Sequence, residues 1–384
     1  MKSTVTSLLL LLTVGAASSL AADAVVRAMQ PRVDDGTMAG AVFLIANRDR
    51  ILSCDALGYA DLDAKQPMRA DSLFWIASTT KLFTSACVMM LVDEGKISLD
   101  DPVEKYLPEF KDMKFKDKGA NGEPRPVSHA LTISELLSNS SGLPFSSPAE
   151  KPGLDRQPLS ERVSSYAKET LLFDPGTDYA YSNENFNTAG RIIELAGGMK
   201  YENFLQQRLL TPLGMKDTTF WPDKEQVARL AKSYKFDTES NKLVPGKISA
   251  LHAPYDNRNG RYPIPAGGLF STAADVAKFA RMLLNGGELD GKRYLKQDSV
   301  ALMAKQHAPT NPYGFGCWVK PGKGQFGHGG AYGNEVTIDR HKGFVAIFMV
   351  QRINWGNKEL GEKISPDFQQ LAEQFMTQPE APRP

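Results

Sequence analysis

The chain has 384 residues, of which 42% are hydrophobic, 23% charged and 9% aromatic. These ordinary globular proportions exclude a collagen, a coiled coil and a mostly disordered chain. Lys and Arg total 45 against 44 Asp and Glu, so the charge balance gives no case for a nucleic acid or an anionic membrane surface as partner.

Residues 1–22 read as a signal peptide. Lys2 supplies the charged start, Leu8 to Val14 the apolar run, and Ala21 and Ala22 the small residues before a cleavage site. The apolar run is shorter than the roughly 20 residues of a membrane span. The rival reading is an uncleaved anchor. No cysteine lies near the site, so a lipoprotein is not supported. The expected location is periplasmic or secreted, with no membrane association beyond export. Removing this leader takes away Lys2 and leaves 44 basic against 44 acidic residues.

Ala39 to Ala46 and Ile51 to Tyr59 read as two strands joined by a turn at Asn47 to Arg50. Leu82 to Val92 (LFTSACVMMLV) is apolar on almost every side, which predicts a helix buried in the middle of the protein. Leu159 to Leu172, Asn187 to Leu195, Tyr201 to Leu210 and Thr272 to Leu284 also read as helices. Tyr313 to Val319 reads as a strand. Glu335 to Asp339 and Gly343 to Val350 form a second hairpin, and Pro366 to Met376 a last helix. Strands at both ends must pair with each other. The predicted fold is therefore α/β of the α+β type, an antiparallel sheet built from both chain ends and flanked by helices. Residues 23–100 and 225–377 would form that domain, 101–224 a mainly helical inserted lobe, and 378–384 a disordered tail.

Cys54, Cys87 and Cys317 have no redox or zinc spacing. An oxidising compartment would permit one disulfide, but three small buried hydrophobes is the simpler reading. Gly322 to Gly327 matches a dinucleotide fingerprint but precedes strand-like sequence, and Gly286 to Lys292 lacks the Ser or Thr of a P-loop. The five histidines have no metal-ligand spacing. No metal or cofactor is expected.

Chemistry enters at Ser78-Thr79-Thr80-Lys81. An SxxK arises about once or twice by chance in a chain this long, and Ser165-Tyr-Ala-Lys168 is a second, in a charged segment. Ser78 differs because it opens the buried helix. Free N–H groups there favour developing negative charge. Lys81 lies one turn on and on the same face. Burial and the helix dipole both disfavour its charge, and a neutral lysine beside a serine is a base beside a nucleophile. The plain alternative is a serine cap followed by a lysine that reaches solvent.

Ser78-Thr-Thr-Lys81, Tyr181-Ser182-Asn183 and His328-Gly329-Gly330 occur in that order. Together they resemble the SxxK, YxN and KTG or HxG motifs of the serine β-lactamase and penicillin-binding superfamily. The YxN form is similar to that of class C β-lactamases, DD-peptidases, D-aminopeptidases and family VIII carboxylesterases. Leu136 to Pro144, Pro175-Gly176, Pro212 to Met215 and Gly267 to Ala274 extend the resemblance over about residues 25 to 375.

The resemblance implies roles. Ser78 would be the acylated nucleophile, and Lys81 and Tyr181 would share the proton work, with a lysine ammonium drawing Tyr181 toward phenolate. Asn183 would hold Lys81 and the substrate. The N–H groups of Ser78 and Ala331 would form the oxyanion hole, and Gly329 and Gly330 would let an edge strand approach the substrate. The third motif carries His328 where β-lactamases carry a lysine for the substrate carboxylate. A histidine is mostly neutral at pH 7, which favours neutral esters, amides or amine-bearing substrates. Asn139 stands where many relatives have histidine. The expected function is an exported serine hydrolase, a carboxylesterase first. A β-lactamase or D-amino-acid peptidase, a non-catalytic sensor of wall fragments or β-lactams, and acyl transfer to another acceptor are the alternatives. Small ester, amide or β-lactam molecules are the expected partners.

Overall fold

The computed structural model describes residues 24–116, 123–355 and 358–377. The expected leader and the 378–384 tail lie outside them. Helix α1 (residues 24–34) leads into strands β1 (Gly40–Asn47), β2 (Ile51–Asp61) and β3 (Gln66–Pro67). Helices α2 (Thr80–Asp93), α3 (Asn183–Gly197) and α4 (Ala273–Leu284) follow, then strands β4 (Trp318–Lys320), β5 (Gln325–Gly329), β6 (Glu335–Asp339) and β7 (Phe344–Met349), and helix α5 (Lys358–Thr377). The strands form one seven-stranded sheet in the order β4-β5-β6-β7-β1-β2-β3, antiparallel at every pairing. The chain ends meet at β1 and β7, with Val42 opposite Met349 and Ala46 opposite Val345.

Alternation along β1 explains why its sequence is apolar at every position. Phe43 and Ile45 point to a layer made by α1 and α5, where Phe43 stacks on Phe348 at 5.1 Å and meets Phe368 edge-on at 5.0 Å. Val42, Leu44 and Ala46 point the other way, into the main core with α2 and α4. A strand covered on both faces has no polar side to show. Helix α2 is buried from Thr80 to Leu91, as its uniform apolarity predicts.

Several boundaries differ from expectation. The helix from Leu159 stops at Tyr166 instead of Leu172. Leu171 is drawn into extended pairing, donating its N–H to the Lys114 carbonyl and accepting from Lys116, both at 2.8 Å. Residues 201–210 are α-helical only to Leu205 and continue as a π turn. Helix α3 starts four residues earlier than its apolar spacing indicates, because Ser182 caps it. Helix α5 begins at Lys358 and carries Pro366 inside it, exposed to solvent. The predicted strand Tyr313 to Val319 shortens to Trp318–Lys320, with Tyr313 only bridging to Trp318. The three cysteines are free thiols, Cys87 and Cys317 buried and Cys54 half-buried. Gly322 and Gly324 form a turn into β5 and Gly286 and Gly287 a turn after α4, so neither glycine motif opens a helix. Among the described residues, no helix is long and apolar enough to cross a membrane.

Candidate active site

The chain reaches Ser78 through a strained corner. Ala77 has φ +44°, a left-handed conformation that costs a non-glycine residue about 1–3 kcal/mol. A 3-10 turn over Ala77–Thr79 then feeds α2, so Ser78 precedes the helix proper by two residues. The corner is held by another segment and by its own side chain. Ile76 N–H donates to the Leu269 carbonyl at 2.9 Å, Trp75 Nε1–H to Gly267 at 2.8 Å, and the Thr80 hydroxyl to Ala77 at 2.7 Å. Ser78 itself is half-buried.

Lys81 is fully buried. Its Nζ lies 2.8 Å from Asn183 Oδ1, 2.7 Å from the Ala266 carbonyl and 3.3 Å from Ser78 Oγ. Burial holds its pKa well below the ordinary lysine value. A neutral amine has two N–H donors and one lone pair. In that neutral form, which burial favours, Asn183 and Ala266 would take the two donors and the lone pair would face the Ser78 hydroxyl. The Ala266 carbonyl is itself held in place. Ala266 N–H donates to Asn187 Oδ1 at 3.2 Å, and Asn187 Nδ2 donates to Glu150 and Tyr166. A side-chain carbon on Gly190 would sit 2.3 Å from Pro265, so only glycine lets α3 approach that segment.

Tyr181 is half-buried and hydrogen-bonded to Ser78. Burial of Tyr181 opposes the phenolate expected from Lys81. Lys81 Nζ faces the Tyr181 ring, 4.7 Å from its centre, and burial raises the phenol pKa further above its ordinary 10. Phe145, 55% exposed, stacks beside Tyr181 at 6.2 Å and gives the site mouth an apolar wall.

His328 sits on β5 and is buried. Its Nδ1 lies 2.7 Å from the Gly329 carbonyl and so carries the proton; its Nε2 accepts from the Tyr313 hydroxyl at 3.1 Å. Both ring nitrogens are occupied. Burial pushes its pKa down to about 3. The third motif is electrically neutral. Strand β5 is an edge only at this end: Gly327 is its last residue opposite β4, while His328 and Gly329 pair with β6 alone.

A model of the beta-lactamase family matches residues 25–363. The chain belongs to the beta-lactamase family. An uncharacterized protein of Mycobacterium tuberculosis (strain CDC 1551 / Oshkosh) is 31% identical over 354 residues, 83% of this chain and 87% of that one. Penicillin-binding protein 4 of Amycolatopsis lactamdurans is 30% identical over 281 residues, 70% of this chain and 69% of that one. The structure of EstCE1, a hydrolase with promiscuous acyltransferase activity, superposes with TM-score 0.75 at 24% identity, covering 94% of this chain and 99% of that one. This similarity shows the fold.

Within this beta-lactamase fold, Ser78, Lys81, Tyr181, Asn183 and His328 are brought together, while Ala331 lies exposed in the turn after β5. That turn is tied to the Ser78 corner by a residue the motifs do not flag. Buried Asn334 accepts from the Thr79 hydroxyl at 3.3 Å and donates Nδ2–H to the Trp75 carbonyl at 3.1 Å. Gly330 permits this, since a side-chain carbon there would lie 2.3 Å from Asn334 Oδ1. Asn334 reads in sequence as an ordinary turn residue, and Tyr313 as part of a strand, so neither gave a functional signal. The second SxxK lies away from this site. Ser165 lies in the last turn of the Leu159–Tyr166 helix, its hydroxyl donating to the Arg162 carbonyl, and Lys168 is exposed. Among the described residues, no cluster of His, Cys, Asp or Glu is arranged to hold a metal.

Next to Asn183, Glu184 is buried with neither carboxyl oxygen hydrogen-bonded. Burial first, then repulsion from Glu150 and Glu169, raises its pKa to about 9. The folded state keeps this proton over a range where the unfolded chain has lost it. Stability from Glu184 is thus present below about pH 4.3 and falls toward pH 9, by about 1.4 kcal/mol per unit at most. Glu184→Gln should therefore raise the melting temperature at pH 8 relative to wild type and leave it nearly unchanged at pH 4. Equal shifts at both pH values would show that Glu184 is ionised in the fold.

Proposed function

We propose that the protein is an exported serine hydrolase that cleaves neutral carboxylic esters through an acyl-enzyme on Ser78. Ser78 Oγ attacks the ester carbonyl carbon and passes its proton to Lys81 Nζ. The oxyanion is held by the N–H groups of Ser78 and Ala331. Collapse breaks the carbon–oxygen bond to the alcohol, which leaves with the Tyr181 proton. Tyr181 then regains a proton from the neighbouring Lys81 ammonium, which restores both groups, since the acylated Ser78 Oγ has no proton to relay. Water then repeats the sequence in reverse, freeing the acid and Ser78. In this assignment Lys81 is the base, and Tyr181 is protonated at rest and donates its proton to the leaving alcohol. The export part rests on residues 1–22 alone.

The substrate class rests on one observation, the neutral His328 with both nitrogens engaged. A motif without a cation or a free donor offers no partner for a substrate carboxylate. Phe145 beside Tyr181 adds apolar surface for the acyl or alcohol group. The similarity to EstCE1, a hydrolase with promiscuous acyltransferase activity, supports hydrolysis with acyl transfer as a side reaction. The similarity to a penicillin-binding protein keeps a carboxylate-bearing β-lactam as the comparison substrate.

The test measures kcat/KM on a p-nitrophenyl short-chain ester and on a chromogenic cephalosporin. Wild type should prefer the ester. His328→Lys should narrow that preference by about 10–100-fold, the size of one charge-assisted hydrogen bond. A wild type that prefers the cephalosporin would overturn the ester reading, and an unchanged ratio in the variant would overturn the role given to His328.

A further inference from the structure

We infer that Asn139 is the positioning residue that sets Tyr181 against Ser78, an inference that rests on the proton role proposed for Tyr181. Asn139 follows the short helix Ile133–Leu137 and is fully buried. Its backbone adopts φ +59°, a left-handed conformation that asparagine tolerates better than most residues. From there one residue grips the chain on both sides of Tyr181. The Asn139 main-chain carbonyl accepts the Ala180 N–H at 3.0 Å. Its side-chain Oδ1 accepts the Ser182 N–H at 3.1 Å and Asn185 Nδ2–H at 3.0 Å. Tyr181 therefore hangs between two backbone anchors that belong to the same residue.

The grip continues into α3. Ser141 donates its hydroxyl to Asn185 Oδ1 at 2.6 Å, fixing the amide that shares Asn139 Oδ1. Asn183 N–H donates to the Phe145 carbonyl at 3.0 Å. Segment 139–145 is thus a cradle for residues 180–185. By contrast, the Asn139 Nδ2 end lies toward the Tyr313 hydroxyl without a hydrogen bond of normal geometry. A buried unpaired donor is costly, so the residue's value at this position lies in its two oxygens and its backbone conformation.

Two variants separate positioning from simple stability. Asn139→Gly keeps the left-handed backbone and the main-chain carbonyl but removes Oδ1. Asn139→Asp keeps Oδ1 as an acceptor in either protonation state. Asn139→Gly should lower ester kcat by about 10–100-fold with KM changed less than about threefold, as expected for a misplaced proton donor. In a Tyr181→Phe background the same change should cost less than about threefold, because the group being positioned is gone. Asn139→Asp should stay within about threefold of wild type, and it carries the test should Asn139→Gly fail to fold. Equal losses from Asn139→Gly in both backgrounds, or a loss beyond tenfold in folded Asn139→Asp, would overturn the inference. Tyr181→Phe turning over like wild type would instead count against the function on which it rests.

Discussion

Lys81→Met is expected to lower ester kcat by about 10³–10⁴-fold, at the upper end of what a positioned base contributes. Methionine matches the lysine stem in length and suits the buried, apolar surroundings, so Ser78 and its corner should keep their places. What disappears is the lone pair facing Ser78 Oγ across 3.3 Å. Asn183 Oδ1 and the Ala266 carbonyl also lose their donor, at about 1–3 kcal/mol of stability each. Lys81→Arg should be as inactive, because a guanidinium stays charged and cannot accept a proton. The wild-type pH profile follows from the same burial. Only neutral Lys81 accepts the Ser78 proton, so the acylation rate should rise with pH through a pKa well below the ordinary lysine value and then level off. His328, held near 3, adds no step between pH 5 and 8. Single-turnover burst measurements across pH check both statements. A burst rate in Lys81→Met within tenfold of wild type would contradict the assignment of the base.

The sequence was most readable where both faces of an element are covered. Strands β1 and β7 and helix α2 announce themselves by unbroken apolar runs, and their mutual pairing follows from the need to close the sheet between the two chain ends. The three motifs were readable for a different reason: each is a short local pattern, and their order restricts the fold. Contacts made by the backbone were not readable. The Ala266 carbonyl that takes one Lys81 proton could belong to any residue type, and its support from Asn187 crosses 79 residues of sequence. Asn334 and Asn139 look like turn asparagines because turns are where they sit; their clamping roles depend on which segment folds against them. The end of the helix at Tyr166 was missed because Leu171 pairs with residues 114 and 116, a tertiary contact that overrides local helical spacing. The surroundings of Tyr181 were not readable either: sequence places Lys81 nearby but does not show that its amine lies 4.7 Å from the ring centre or that the phenol is desolvated.

The central claim is that Ser78 carries the acyl group. The most direct measurement is mass spectrometry of wild type and Ser78→Ala, quenched during turnover of a p-nitrophenyl ester and digested. Wild type should gain the mass of one acyl group on the peptide that contains Ser78, within a turnover. Ser78→Ala should gain none, and its ester hydrolysis should fall by at least about 10⁴-fold, since the remaining groups cannot replace a nucleophile. Undiminished hydrolysis by Ser78→Ala, or an acyl group found on another residue of the wild type, would contradict the mechanism built on Ser78, Lys81 and Tyr181.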